Sequence, residues 1–130
     1  VIVLDASLVL EVLLRLPAGM AVEVRLFGSA ETLHAPHLLD VEVAQVLRRY
    51  VRAGDVDAER CRAALDDLAG LPLSRYPHDF LMSRVWDLRT KLSAYDAVYV
   101  ALAEALDAPL LTRDQRLANA PGHRARVELV

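Results

Sequence analysis

The chain of 130 residues has one cysteine, one lysine, and no apolar run approaching the roughly 18 residues that a membrane span requires. Each scarcity excludes something. Cys61 has no partner for an internal disulfide, and between Arg60 and Arg62 in a helical stretch it reads as a packing thiol. Nothing resembles a basic segment followed by an apolar run and a cleavage site, so the expectation is a cytoplasmic protein with no membrane partner. Repeats, low-complexity tracts and linkers are also missing. The expectation is one domain over residues 1–130, long enough to bury roughly two thirds of its unfolded surface without disulfide or metal staples. Zinc-type spacing is absent as well: His34 and His37 flank Pro36, while His78 and His123 stand alone.

The net charge of −3 gives no general attraction to nucleic acid, whose binding rests on basic surface. The kind of basic residue matters more. Lys91 is the only lysine among fifteen basic residues, and the other fourteen are Arg, whose planar fork suits phosphates and carboxylates. A composition rich in Ala, Leu, Val and Arg accounts for this as readily as a phosphate partner does.

The chain opens with VIVLDAS, Val1 to Ser7. Four apolar, mostly β-branched residues without alternation predict a strand covered on both faces, as in the middle of a parallel sheet. Helices are predicted over Ser7–Leu14, ended by Pro17, and over about Ala18–Phe27; a short strand follows over Thr32–Ala35, stopped by Pro36. The strongest periodicity covers Leu38–Arg52, with Leu39, Val43, Val46, Leu47 and Tyr50 on one side and Gly54 past the end. A helix capped by Asp55 or Asp57 runs through Leu68, and Leu71–Tyr76 gives a third strand. Phe80–Leu88 is helical with Leu81, Val85, Trp86 and Leu88 as packing residues, and Ser93–Leu106 is a second long helix. Pro109–Thr112 is a fourth strand, Gln115–Ala120 a short helix, and Arg126–Val130 an edge strand. Strand and helix alternate throughout, which predicts a three-layer, doubly wound α/β fold with a mostly parallel sheet.

Four acids stand out by position: Asp5 after the first strand, Glu42 early in the best-marked helix, Asp96 early in its counterpart, and Asp114 after the fourth strand. Each has a local explanation. Asp5 and Asp114 can cap the helices that follow them, Ser93 and Asp96 form a capping-box pattern, and Glu42 suits a helix dipole. Strand ends and helix starts nevertheless share one edge of a doubly wound sheet, and ligands bind there, so the four carboxylates converge on one crevice. Two carboxylates about 4 Å apart repel by about 4 kcal/mol at an effective dielectric of 20, so the cluster calls for protons or a cation. A hard, all-oxygen donor set suits Mg²⁺ or Mn²⁺.

The blocks DAS, APHLLDVEVAQVLRR, SAYDAVYVALAEAL and LLTRDQRLANA, in that order, resemble PIN-domain ribonucleases, most closely the VapC toxins of bacterial toxin–antitoxin pairs. The similarity in order and spacing spans nearly the whole chain. It implies a Mg²⁺- or Mn²⁺-dependent endoribonuclease whose metal-binding acids fall on Asp5, Glu42, Asp96 and Asp114. It also implies a homodimer, restrained by a small DNA-binding antitoxin. The acids would position metal and not attack RNA themselves, with Asp5 and Asp96 the foremost direct ligands. Ser7 and Thr112 are hydroxyl helpers to a ligand or phosphate, or simple caps, and Arg113 is an RNA contact or a surface ion pair.

Other residues are weighed against the same crevice. Asp40 stands two residues before Glu42, a turn of about 200° around a helix, so it reads as a dipole partner and not a site acid. Tyr95 and Tyr99, one turn apart, are expected to pack in the core with exposed hydroxyls, with base stacking as the alternative. Leu10, Leu13, Leu14, Val22 and Leu26 suggest an antitoxin groove around the early helices. Phosphotransfer enzymes with a similar first strand want a second Asp two residues after Asp5, where Ser7 stands, or an acidic pair and a late Lys, which are lacking. The remaining rival is a PIN-like module that binds RNA or a partner without cutting.

Overall fold

A computed structural model describes all of residues 1–130. Its elements run β1 (Ile2–Leu4), α1 (Ala6–Leu13), α2 (Gly19–Phe27), β2 (Leu33–Pro36), α3 (Leu38–Ala53), α4 (Ala58–Gly70) and β3 (Leu73–Tyr76). A 3₁₀ turn at Asp79–Leu81 leads into α5 (Met82–Asp87), followed by α6 (Ala94–Leu106), β4 (Leu110–Thr112), α7 (Gln115–Ala118) and β5 (Val127–Leu129). The five strands form one sheet in the order β3-β2-β1-β4-β5, and every pairing is parallel. This is the doubly wound α/β fold that the alternation of strand and helix predicts.

β1 lies at the centre because its three residues have no polar side chain to show to water; all are buried. From β1 the chain builds outward first through β2 and β3, then returns to add β4 and β5 on the other side. The order reverses at β1, and a crevice opens beyond the carboxyl ends of β1 and β4 where their following helices diverge. Helices flank the sheet in two groups. α1 packs on α2, α3 and α4, while α6 packs on α5 and against β1, β2 and β4. The middle of α6, Ala97 to Ala103, is buried without a break, which small alanines at 97, 101 and 103 permit by letting the helix lie close to the sheet.

Local chemistry sets the element ends. α3 stops at Gly54, whose left-handed φ of 78° a side chain would disfavour, and its N–H donates to the carbonyls of Tyr50 and Val51. Asp57, rather than Asp55, caps α4 by accepting from the Arg60 N–H. The edge strand β5 is pinned to α2 by a two-pronged pair, Arg25 Nε and Nη2 to Glu128 at 2.7 and 2.9 Å.

Three expectations are corrected by packing. Leu10, Leu13, Val22 and Leu26 are buried in the core and Leu14 packs partly buried against it, so these five do not form a face for a partner; the exposed stripe of α2 is instead Met20, Val24 and Phe27. Trp86 is 67% exposed, not a packing residue, with the Arg89 guanidinium 4.7 Å from its ring centre. Tyr95 is 64% exposed while Tyr99 is 2% exposed, so the two do not share a role. Their one-turn spacing places both on α6, but Tyr95 lies in its first turn, where the helix still faces solvent. Cys61 is buried and unpaired, as its setting suggests.

Candidate active site

Asp5 follows β1 directly and caps α1, its Oδ1 accepting from the backbone N–H groups of Ser7 and Leu8 at 3.1 and 3.4 Å. Two hydroxyls also point at it. Ser7 Oγ donates to Oδ1 and Thr112 Oγ1 to Oδ2, both at 2.5 Å, the latter from the end of β4. Ser7 Oγ in turn accepts from the Arg113 N–H at 2.9 Å, and Thr112 Oγ1 accepts from the Asp114 N–H at 2.9 Å. The carboxylate therefore locks the ends of β1 and β4 together, and capping is only part of what it does. Burial pushes its pKa up, against the pull of the Ser7 and Thr112 hydroxyls and the backbone donors.

The other acids arrive from three further segments. Glu42, on the second turn of α3, has its carboxyl pushed up by burial and by the negative charges of Asp5 and Asp96, against the pull of the nearby Tyr99 hydroxyl. Its Oε1 is buried without a hydrogen bond, and so is the hydroxyl of Tyr99 from α6. The Tyr99 hydroxyl faces the Glu42 carboxyl without a hydrogen bond of regular length and angle, and burial, that contact with Glu42 and the charges of Glu42, Asp5 and Asp96 raise its pKa. Asp96 is held near the start of α6 by its N–H to Ser93 Oγ, 3.2 Å, which completes the N-terminal half of the capping pattern. Asp114 caps α7 through Oδ1, accepting from Arg116 and Leu117 at 2.9 and 3.4 Å.

Asp5, Glu42, Asp96 and Asp114 all line a single pocket of about 340 Å³ together with Ser7, Tyr99, Arg49 and Arg113. Its inner wall is acidic and its rim carries arginines. Asp40 is elsewhere: Arg75 grips it by two bonds of 2.7 and 3.0 Å on the far side of α3, as the turn of the helix requires. Arg113 makes an ion pair with Glu11 at 3.6 Å and donates to the Val130 carbonyl at 2.6 Å, while still lining the pocket.

Comparison with known proteins decides the family. A profile of the PIN domain matches residues 2–122. Ribonuclease VapC1 of Mycobacterium tuberculosis is 46% identical over 129 residues, covering 98% of this chain and 96% of the relative. Ribonuclease VapC12 of the same organism is 43% identical over 129 residues, covering 99% and 98%. The chain belongs to the PIN-domain family.

Among solved structures, this PIN domain is similar to VapBC2 from Rickettsia felis bound to a DNA fragment from their promoter, with a TM-score of 0.72, 15% identity, and 98% and 97% of the two chains covered. It is also similar to Mycobacterium tuberculosis VapC20, a Sarcin-Ricin loop cleaving toxin, with a TM-score of 0.68, 13% identity, and 93% and 97% covered. At these identities the likeness is one of fold. The relatives of higher identity are the ones that bear the name ribonuclease.

The PIN domain's acids are not gathered into a ready cage: no group of three His, Cys, Asp or Glu side chains is set to hold an ion. Arg116 lies between two of them. One of its nitrogens, Nη2, lies 2.9 Å from Asp96 Oδ2 and 3.2 Å from Asp114 Oδ2, spanning two of the four acids. Sequence inspection passes over Arg116, since the Asp-x-Arg spacing shows only a local pair with Asp114 and gives no sign of Asp96, twenty residues away. Tyr99 packs in the core as expected, but its hydroxyl, expected to be exposed, is buried at the wall of the pocket.

Proposed function

We propose that the chain is a Mg²⁺- or Mn²⁺-dependent endoribonuclease and the toxin of a toxin–antitoxin pair, one domain acting in the cytoplasm. The observation that carries this reading is the convergence of Asp5, Glu42, Asp96 and Asp114, from four separate segments, on one pocket. The donor set fits a hard divalent cation. All its atoms are oxygens, Asp5 is pushed toward protonation by burial and Glu42 by burial and the charges of Asp5 and Asp96, and Glu42 Oε1 and Tyr99 Oη close no regular hydrogen bond. Asp5, Glu42, Asp96 and Asp114 would hold the ion, and it would supply positive charge at the scissile phosphate and acidify the attacking water.

The chain's own residues do the rest. Thr112 and Ser7 fix both oxygens of Asp5, so that the carboxylate meets its ligand already oriented. Arg49 and Arg113 on the rim offer guanidinium groups to the phosphates of an RNA strand entering the pocket. Tyr50, also at the pocket wall, presents a ring to a base of looped or single-stranded RNA.

Two exposed apolar faces fit the expected partners. The stripe Met20, Val24 and Phe27 on α2, at i, i+4 and i+7, suits a short amphipathic segment of the antitoxin. Phe80, Met82, Trp86 and Tyr95, from the 3₁₀ turn, α5 and the start of α6, suit a second copy of the chain. The deciding experiment is cleavage of cellular RNA by the purified chain with Mg²⁺ or Mn²⁺, with EDTA, and with Asp96→Asn. Cleavage that needs the ion and Asp96 is expected. Binding of RNA without cleavage under all conditions would favour a non-catalytic module instead.

A further inference from the structure

We propose that Arg116 is an internal counter-ion occupying the place of a divalent cation between Asp96 and Asp114, so that the site loads only when this side chain is released. The proposal rests on the metal-dependent reading above and goes beyond it in assigning Arg116 a role in loading. Its first support is geometric. A single nitrogen, Nη2, serves Oδ2 of both acids, at 2.9 and 3.2 Å, as a bridging cation would. Asp114 divides its oxygens between two tasks, Oδ1 capping α7 and Oδ2 meeting Arg116. The guanidinium can thus leave without undoing the cap.

The second support is what the clasp fails to reach. Glu42 Oε1 and Tyr99 Oη, in the same pocket, are buried and face one another without closing a regular hydrogen bond, and Arg116 reaches neither. A monovalent group on an arm from α7 neutralises the outer pair of acids and leaves the inner donors unserved. A divalent ion would bring twice the charge, and Glu42 would be among the residues that hold it. The two occupants exclude each other, because an ion ligated by either Oδ2 meets the like charge of the guanidinium there. The Arg116 side chain is 68% exposed, so its departure costs little beyond the two ion pairs. Arg116 therefore sets the free-ion concentration at which the nuclease becomes loaded.

The test is Mn²⁺ binding to the full chain by titration calorimetry, with cleavage left out. Arg116→Gln should bind Mn²⁺ about tenfold tighter than the parent, the scale of two exposed ion pairs. Arg62→Gln makes the same charge change on α4, where Arg62 pairs only with Asp66, and should bind as the parent does. Equal or weaker binding by Arg116→Gln, or equal tightening by Arg62→Gln, would overturn the proposal while leaving the metal reading intact. If neither the parent nor Arg116→Gln binds Mn²⁺, the metal reading fails and the clasp fails with it.

Discussion

Thr112 donates its hydroxyl proton to Oδ2 of Asp5 across 107 residues of sequence, joining the carboxyl ends of the two strands between which the sheet order reverses. Thr112 is fully buried and its oxygen also accepts from the Asp114 N–H, so one hydroxyl aligns two of the four acids. Thr112→Val keeps the shape and β-branching of the strand residue and removes both bonds. It should weaken Mn²⁺ affinity and RNA cleavage together by about 10- to 100-fold, the effect of losing a group that orients a ligand. Calorimetric Mn²⁺ titration beside initial cleavage rates measures this. Unchanged affinity would reduce Thr112 to a strand-end cap.

Glu42 illustrates an opposition between stability and activity. Its carboxyl is partly buried, one oxygen is unpartnered, and the charges of Asp5 and Asp96 lie close enough to push it toward protonation. The sign follows directly. A carboxyl raised in the folded state costs stability at neutral pH, and the cost fades as pH falls through its folded value. Glu42→Gln should therefore raise the melting temperature of the metal-free protein by about 3 °C, roughly 1 kcal/mol for a chain of this size. The same variant should cleave RNA more slowly than Thr112→Val. A lower melting temperature in EDTA would show that the charge is already compensated.

The sequence carries the fold almost completely, because the β-branched apolar run Ile2–Leu4, closed by Asp5, suits a central strand and the stripe Leu39, Val43, Leu47 suits a helix face, as the structure has them. The four acids are also visible there as residues at strand ends and helix starts. What periodicity cannot tell is which way a stripe faces. α2 has two apolar stripes, and the one through Val22 and Leu26 is core while Met20, Val24 and Phe27 meet solvent. Trp86 misleads for the same reason, since a large ring in a short amphipathic helix suits either side. Arg116 is beyond sequence reasoning altogether, as its link to Asp96 exists only once α6 and α7 are placed side by side.

Glu104 gives a pH dependence remote from the site. Its side chain is 5% exposed on α6 and accepts from Arg84 Nε and Nη2 at 2.7 and 3.0 Å and from the Arg124 N–H at 2.9 Å. Burial alone would raise its pKa, but the Arg84 fork, the Arg124 N–H and their charges outweigh that and hold the carboxyl below its usual range. Stability from a lowered carboxyl is complete above the unfolded value, about 4.3, and is lost as pH falls through the folded value. Glu104→Gln should be less stable than the parent by about 2 kcal/mol at pH 7. Urea titrations should show the gap closing as pH falls below about 4. A gap that persists in acid would assign the loss to packing and not to charge.

The two exposed apolar faces should prove separable. Trp86 stands two thirds clear of the surface beside Phe80, Met82 and Tyr95 in sequence, an arrangement that leaves apolar area to water unless another molecule covers it. Aromatic anchors of this kind dominate association energy, so Trp86→Glu should convert a dimer to a monomer in light scattering, with circular dichroism unchanged because the ring is 67% exposed and stacks under Arg89 at the surface. Met20→Glu with Phe27→Glu places two charges in the α2 stripe and should abolish capture of the antitoxin while the dimer and RNA cleavage persist, since neither residue lines the acidic pocket. A monomeric parent would remove the first assignment. Antitoxin capture undiminished by the paired α2 changes would remove the second.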